Sequence, residues 1–374
     1  MGYTLGTRRL VALAAVGVLG ALSLSACGSD TSDDNGDGGS DAAKKVGVIL
    51  PDATTSPRWE ANDRPSLKAA FDAAGVDSII TNADGDVAKF GNICDDMINQ
   101  GVSVLMIVNL DSESGGACLK KAADAGIQSI DYDRLTLGGG ASYYVSFDNV
   151  KVGDLMGEGL TKCLDDAGKA KANIVFINGD PNDNNAALFK EGYQTNLQPK
   201  FDSGDYKLVG DQTGEWDATK AGTAFEQLFT KNNGKVDGVV SANDTMAGGI
   251  IARLKANGLD GKVPVTGQDA SVEGLQRILA GTQCMTVYKD TNLEAKAASD
   301  LAIALINGDK DKAASLATGT VKDTELGVDV PSALATPEIV YKDGVAKVIS
   351  DGFQKKEDVC TGAYAQLCTD NGVQ

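Results

Sequence analysis

Polar residues at the ends of three apolar runs are the first candidates for a binding site. The runs follow one another between residues 236 and 290 and end at Asn243, Asp269 and Lys289. Polar groups at the carboxyl ends of parallel strands in an open α/β sheet converge on one crevice, where ligands bind. Each of these residues alone would suit an ordinary exposed loop. Three in succession predict a site with an amide, a carboxylate and an ammonium group.

The same rule adds residues from the ends of other predicted strands. Charged and amide side chains offer paired donors and acceptors to hydroxyl groups, each of which both donates and accepts. The only two tryptophans of the chain offer apolar faces to a sugar ring, although core packing would also suit each of them. The mixture predicts a monosaccharide ligand. The added residues are Arg58, Trp59, Asp133, Arg134, Asp183, Asn185 and Trp216.

An enzyme acting on sugars is the main alternative, because a glycosidase needs only two carboxyl groups. Asp183 and Asp269 are the candidate pair, but the cations at the same crevice favour the ionised form of both. The chain has no histidine, the commonest general base and metal ligand. No catalytic residue is therefore assigned.

Motifs for phosphate and calcium binding are also missing from the sequence. The chain has no G-x-G-x-x-G after a predicted strand and no G-x-x-x-x-G-K-[ST]. Residues 82–86 resemble the start of a calcium loop, but the glycine is misplaced and the twelfth position lacks glutamate. The sequence predicts neither a metal nor a cofactor. The formal net charge of −18 also argues against nucleic acid as a partner.

Residues 1–26 have the features of an export signal. Arg8 and Arg9 precede an apolar stretch, and a run of small residues ends at Cys27. The Leu-Ser-Ala-Cys run resembles the lipobox of bacterial lipoproteins, which implies that Cys27 carries a lipid. The acidic, glycine-rich residues 27–43 are expected to form a flexible linker. The protein is then expected on the outer face of the cell membrane, held there by its lipid. The alternatives are a plain secretory signal and, on the arginine pair, twin-arginine export.

Six cysteines follow Cys27, and an even number in an exported chain favours disulfides over thiol chemistry. Fifteen pairings are possible in principle. Cys94 and Cys118 fall on successive predicted helices, and Cys360 and Cys368 lie together near the C-terminus. We expect these two bonds, and the third, Cys163 with Cys284, follows by elimination.

Strands and helices alternate from residue 44 onward, which is typical of doubly wound parallel sheets. Two consecutive series predict two α/β domains joined by a three-segment hinge. Residues 263–267 and 345–349 are expected to be strands. The expected segments are 44–146 plus 287–320 for the N-terminal domain, 147–286 plus 321–352 for the C-terminal domain, 353–374 for a cysteine-containing tail, and hinges near 142–147, 270–285 and 319–329.

Several motifs resemble those of the periplasmic sugar-binding proteins of ABC importers, in the family's order and at close to its spacing. The resemblance covers residues 44–352. It leaves out the tail, and the loop before Trp216 is one residue shorter than the family's. The motifs are Arg58-Trp59, Tyr132-Asp133-Arg134, the run 144–153, Asp183-Asn184-Asn185-Ala186, Gly210-Asp211-Gln212, Ser241-Ala242-Asn243-Asp244, Gly267-Gln268-Asp269-Ala270 and the run 280–289.

The resemblance implies a monomeric receptor that closes on one monosaccharide and docks on a membrane permease. The implied sugar is D-xylose, with glucose, arabinose and ribose as alternatives. Trp59 and Trp216 would sandwich the ring. A repressor of the same fold is not expected, because it would need a DNA-binding module and a basic face. The implied hydrogen-bonding residues are Arg58, Arg134, Asp183, Asn185, Asn243, Asp269 and Lys289.

Overall fold

The computed structural model describes residues 44–373. The expected signal peptide 1–26, Cys27 and the linker 27–43 lie outside these residues. Strands and helices alternate through the first half of the described chain, and a π-helical turn (Trp59–Asp63) precedes the first helix. The elements are β1 (Lys45–Leu50), α1 (Arg64–Ala73), β2 (Asp77–Asn82), α2 (Val87–Asn99), β3 (Val104–Ile107), α3 (Ser112–Asp124), β4 (Gln128–Tyr132) and β5 (Tyr143–Phe147).

A second alternating series follows and ends in a short strand. Its elements are α4 (Asn149–Asp166), β6 (Ala172–Asn178), α5 (Asn184–Asp202), β7 (Tyr206–Thr213), α6 (Ala218–Lys231), β8 (Gly238–Ser241), α7 (Asp244–Ala256), α8 (Val272–Ala280) and β9 (Thr286–Tyr288). The remaining elements are α9 (Thr291–Ile306), α10 (Lys310–Leu316), β10 (Gly319–Asp323), β11 (Val328–Ala335), β12 (Glu338–Val340), a 3₁₀ turn (Lys342–Gly344), α11 (Val345–Ser350), α12 (Lys356–Val359) and α13 (Tyr364–Asp370).

Two groups of strands give the protein its mixed α/β architecture. The first sheet has the order β10-β11-β5-β4-β3-β1-β2 and is parallel except for the β10–β11 hairpin. The second has the parallel order β7-β6-β8. Single bridges from Val239 to Val265 and from Gln268 to Val287 extend it towards the antiparallel pair β9-β12. We call the two sheets with their covering helices the first and second lobes.

Apolar side chains cover both faces of the first sheet. One buried cluster joins Val46 and Val48 to α1 and to alanines and leucines of α9, and another packs α2 and α3 on the opposite face. The short strand β3 is wholly apolar and β1 is apolar after Lys45, which fits this double coverage, because a strand buried on both faces has no polar side. Among residues 44–373 no helix has both the length and the apolarity needed to cross a membrane.

The hairpin β10–β11 corrects the expected domain boundary. Residues 321–335 were assigned to the C-terminal domain, but β11 pairs in parallel with β5, from Ser332 opposite Tyr144 to Ala335 opposite Phe147. The chain therefore passes between the sheets after β5, after β9 and after β11. The predicted hinge positions 270–285 and 319–329 do not coincide with the last two of these crossings.

Two expected strands are also wrong. Residues 345–349 belong to α11, because the buried Val345 and Val348 are three residues apart and share one helix face. Residues 263–267 run between β8 and β9 but form only the bridge at Val265, and Pro264 has no N–H for a ladder bond. The C-terminal tail is structured through α12 and α13.

The three disulfides of the structure have the pairing expected from the sequence. Cys94–Cys118 joins α2 to α3, and Cys163–Cys284 joins α4 to the segment before β9. Cys360–Cys368 closes a short loop in the tail.

We predict that the six cysteines resist alkylation in the native exported protein. Mass spectrometry after denaturation with a thiol reagent should show no adduct on these residues without a reductant, and six adducts after reduction. Adducts on several of them without reduction would contradict the disulfide assignment.

Candidate functional site

One cavity lies where strand ends of both lobes face each other. All nine residues expected to bind the ligand line it. Thr55, Ser56, Asp133, Phe189 and Gln268 complete the lining. The nine are Arg58, Trp59, Arg134, Asp183, Asn185, Trp216, Asn243, Asp269 and Lys289.

Two of the side chains are fixed because they cap helices that begin at the cavity. The Asp183 carboxylate accepts the N–H of Asn185 (2.9 Å) at the start of α5. The Asn243 side-chain oxygen accepts the N–H of Met246 (2.8 Å) at the start of α7. Asx residues at this position satisfy N–H groups that the helix itself leaves unpaired. Capping therefore holds both side chains at the cavity wall.

The turn that carries Asp269 has an unusual backbone. Asp269 has φ 100° and Ala270 has φ 50°, values that residues with a side chain rarely adopt. The Asp269 N–H donates to Val287 O (2.9 Å), and the Ala270 N–H donates to Thr286 Oγ1 (3.2 Å). Strained turns of this kind persist only where the surroundings hold them. Bonds to β9 are part of that support.

The Arg58 guanidinium is buried and contacts three carboxylates. It makes two hydrogen bonds to Asp63 (2.9 and 2.7 Å), one to Asp133 (2.7 Å) and one to Glu294 (2.5 Å). The guanidinium also lies 4.4 Å from the centre of the Trp59 ring. Four of its five N–H donors therefore bond to protein. This leaves one N–H for a ligand.

Burial and charge act in opposite directions on the ionisable groups around Arg58. Burial lowers the pKa of Arg58, but the three carboxylates outweigh it and raise that pKa well above its ordinary value. Burial raises the pKa of Asp133, yet Arg58, Lys289 and Arg134 together bring it below the usual value. Burial raises the pKa of Glu294 well above normal against the pull of Arg58. Asp133 thus stays ionised more readily than Glu294.

Two further ion pairs line the cavity. Arg134 Nε lies 2.9 Å from Asp183 Oδ2, and Lys289 Nζ lies 3.3 Å from Asp269 Oδ1. Burial raises the pKa of Asp183, and Arg134 reduces that rise. Lys289 Nζ also lies 5.6 Å from the ring centre of Phe189, within the range of a cation–π contact.

The Trp216 ring at the cavity packs closely against the backbone of a glycine. Trp216 has φ 59° and stands edge-on to Phe189, with ring centres 6.2 Å apart. A side chain at Gly179 would come within 2.1 Å of the Trp216 ring. Only glycine leaves room for the indole at this position. Trp59 lines the same cavity from the first lobe.

Hydrogen bonds join the two lobes directly around the cavity. Asn185 donates to the carbonyl and to the carboxylate of Asp133 (3.0 and 3.1 Å). Ser56 donates to Asp269 Oδ2 (3.3 Å), and Asn243 donates to Thr55 O (3.4 Å). Contacts between the lobes therefore border the cavity.

Several buried polar atoms at the cavity have no hydrogen-bond partner within the described residues. Arg134 Nε and Asp269 Oδ1 belong to this group, since their ion-pair partners are not aligned for a hydrogen bond. Such atoms are costly to bury unless a ligand or water completes them. Three of them are donors and two are acceptors, which suits hydroxyl groups, since each hydroxyl both donates and accepts. They are Trp59 Nε1, Arg134 Nε, Trp216 Nε1, Gln268 Oε1 and Asp269 Oδ1.

Sequence reasoning missed the carboxylates that hold Arg58. Glu294 is buried, whereas its neighbour Leu293 is 53% exposed. This inverts the usual rule that charged side chains are exposed and leucines buried, so no pattern in α9 indicates it. Asp63 is the last residue of a π-helical turn that no sequence signal predicts. Asp133 was recognised as a strand-end residue but was not included among the ligands.

Comparison with known proteins places this chain in a class of binding receptors. Residues 46–310 match the periplasmic binding protein domain family, and the chain belongs to that family. Its members are exported binding proteins, so this protein is a receptor and not an enzyme. The glycosidase alternative is thereby set aside.

Two relatives and one solved structure are similar to this chain over most of its length. The chain is 38% identical over 317 residues to the D-xylose-binding periplasmic protein of Escherichia coli K12, covering 84% of this chain and 92% of that protein. It is 34% identical over 332 residues to the multiple sugar-binding periplasmic receptor ChvE of Rhizobium radiobacter, covering 84% and 91%. A solute-binding protein from Chloroflexus aurantiacus, solved with D-glucose, superposes with a TM-score of 0.75 at 28% identity, covering 84% and 97%.

We predict that Arg58→Met destabilises the fold by about 3 to 5 kcal/mol at pH 8, because it leaves buried carboxylates unpaired. An unpaired buried carboxyl has a pKa in the folded state that is raised above its value in the unfolded chain. The variant therefore loses stability as the pH rises and the buried carboxyl ionises. The penalty should therefore be smaller at pH 5, as measured by urea unfolding.

The control for this prediction is Arg253→Met, which removes an exposed arginine from the end of α7. It should change the free energy of unfolding by less than about 0.5 kcal/mol at both pH values. Equal penalties for the two variants would contradict the role assigned to the buried cluster.

Proposed function

We propose that this protein is the sugar-binding receptor of an ABC importer and that its ligand is a monosaccharide, D-xylose in the first place. One observation carries the proposal: the cavity between the lobes presents two tryptophans together with buried donors and acceptors that lack a partner within residues 44–373. Hydroxyl groups would complete these atoms, and the C–H faces of the ring would pack on the indoles. The names of the relatives support the same ligand class.

Delivery to a permease is part of the proposal. Bonds between the lobes, such as Ser56 to Asp269, form only when the lobes are together. A sugar that contacts both lobes would favour the closed state, because a ligand shifts a conformational equilibrium towards the state it binds better. The closed receptor would then dock on the transmembrane subunit. A lipid on Cys27 and the linker 27–43 would keep it near that partner.

Calorimetric titration with D-xylose, L-arabinose, D-ribose and D-glucose tests the ligand class. We expect saturable binding with a stoichiometry of one sugar per chain, tightest for D-xylose, and no chemical change in the recovered sugar. If glucose binds more tightly than D-xylose, the assigned ligand becomes glucose, which is still a monosaccharide. No binding of any pentose or hexose would contradict the proposal.

Asp269→Ala tests the site itself. It removes a buried carboxylate whose Oδ1 has no aligned partner, and a hydrogen bond to a charged group is worth roughly 1.5 to 3 kcal/mol. We expect the dissociation constant for D-xylose to rise about tenfold to 150-fold. Unchanged affinity with an unchanged circular dichroism spectrum would show that this cavity is not the binding site.

A further inference from the structure

The C-terminal tail (residues 353–373) is folded onto the second lobe. Val359, Cys368 and Val373 are buried in one cluster with Leu275 and other apolar residues of α8. Gln276 of α8 donates to the carbonyls of residues 358 and 359 (3.2 and 3.1 Å). The Cys360–Cys368 disulfide closes the loop between α12 and α13. The first residues of the tail are thereby held at a fixed place.

Those first residues lie directly behind the cavity. Gln354 Nε2 donates to the carbonyl of Ala270 (3.1 Å), the residue after Asp269. The Phe353 ring centre lies 5.1 Å from that of Tyr288, the residue before Lys289. Gln354 and Phe353 thus contact Ala270 and Tyr288, which are the chain neighbours of the cavity residues Asp269 and Lys289.

The tail also reaches the first lobe. Asn62 Nδ2 donates to the carbonyl of Phe353 (3.2 Å). Asn62 belongs to the same π-helical turn as Trp59, which lines the cavity, and Asp63, which binds Arg58. The tail therefore joins the Asp269 turn of one lobe to the Arg58 segment of the other.

The Asp269 turn needs such an anchor. Its two residues both have positive φ, and bonds from β9 hold only their N–H groups. The Ala270 residue is fully buried, and Gln354 supplies the donor to its carbonyl. Without that donor the buried carbonyl loses its partner, which favours a rearranged turn. A rearranged turn moves the Asp269 carboxylate.

We propose that the tail is part of the sugar-binding machinery and that Gln354 is a positioning residue for Asp269. The inference rests on the proposed sugar binding. It assigns a role to a segment that the resemblance to the family does not cover.

Gln354→Ala is the first test, with Gln366→Ala as the matched control. Gln366 is exposed on α13 of the same tail, and its side chain donates to the nearby Asp370 (2.8 Å). We expect Gln354→Ala to raise the dissociation constant for D-xylose about threefold to tenfold, the effect of one lost hydrogen bond. Gln366→Ala should bind as the parent does.

A double-mutant cycle separates positioning from a general structural effect. Removing Gln354 should have no further effect on affinity in an Asp269→Ala background, because the group it positions is gone. In a Trp216→Ala background the threefold to tenfold loss should persist. An equal loss in both backgrounds would overturn the positioning role.

Gln354→Glu is the second variant if the alanine variant folds poorly, since it keeps the side-chain length but removes the donor at neutral pH. It should weaken binding in the same way. If the parent binds D-xylose and both Gln354 variants bind it as tightly as the parent does, the proposal for the tail is wrong and the proposed function is unaffected. If the parent binds no sugar, the proposed function fails first.

Discussion

The buried guanidinium of Arg58 is the contact on which the cavity depends. Three carboxylates from three separate segments meet on it, so one side chain fixes the relative places of the π-helical turn, the end of β4 and the start of α9. Burying charge is costly unless the charges are paired and hydrogen-bonded. The same guanidinium lies against the Trp59 ring and binds the Asp133 carboxylate, and both of these residues line the cavity. Site and local fold are therefore stabilised by the same bonds.

The cavity follows from the placement of parallel strands. Both sheets direct their carboxyl ends to one crevice, and helix capping or ion pairing fixes the charged side chains and Asn243 there. The second lobe supplies Asp183, Asn185, Asn243, Asp269 and Lys289, and the first supplies the arginines. Opposite charges from the two lobes meet across the cleft, as Arg134 and Asp183 do. Complementary charges of the two lobes thus meet at the cavity.

The alternation of strands and helices and the strand-end residues could be predicted from sequence because each depends on local pattern. The features that could not be predicted depend on contacts between residues far apart in the sequence. The β10–β11 hairpin joins the first sheet through pairing with β5, nearly 190 residues earlier in the chain (Ser332 pairs with Tyr144). Glu294 is buried only because Arg58 stands opposite it. The tail's place behind Asp269 likewise depends on packing against α8, which no local signal in residues 353–374 indicates.

The crystal structure of the complex with D-xylose tests the central claim most directly. The account predicts one sugar in the cavity between the lobes, with ring faces on Trp59 and Trp216. It also predicts sugar hydroxyls within hydrogen-bond distance of Asp269 Oδ1 and Arg134 Nε, the buried atoms that lack an aligned partner within the described residues. A sugar bound elsewhere, or bound here with both atoms still unpartnered, would contradict it.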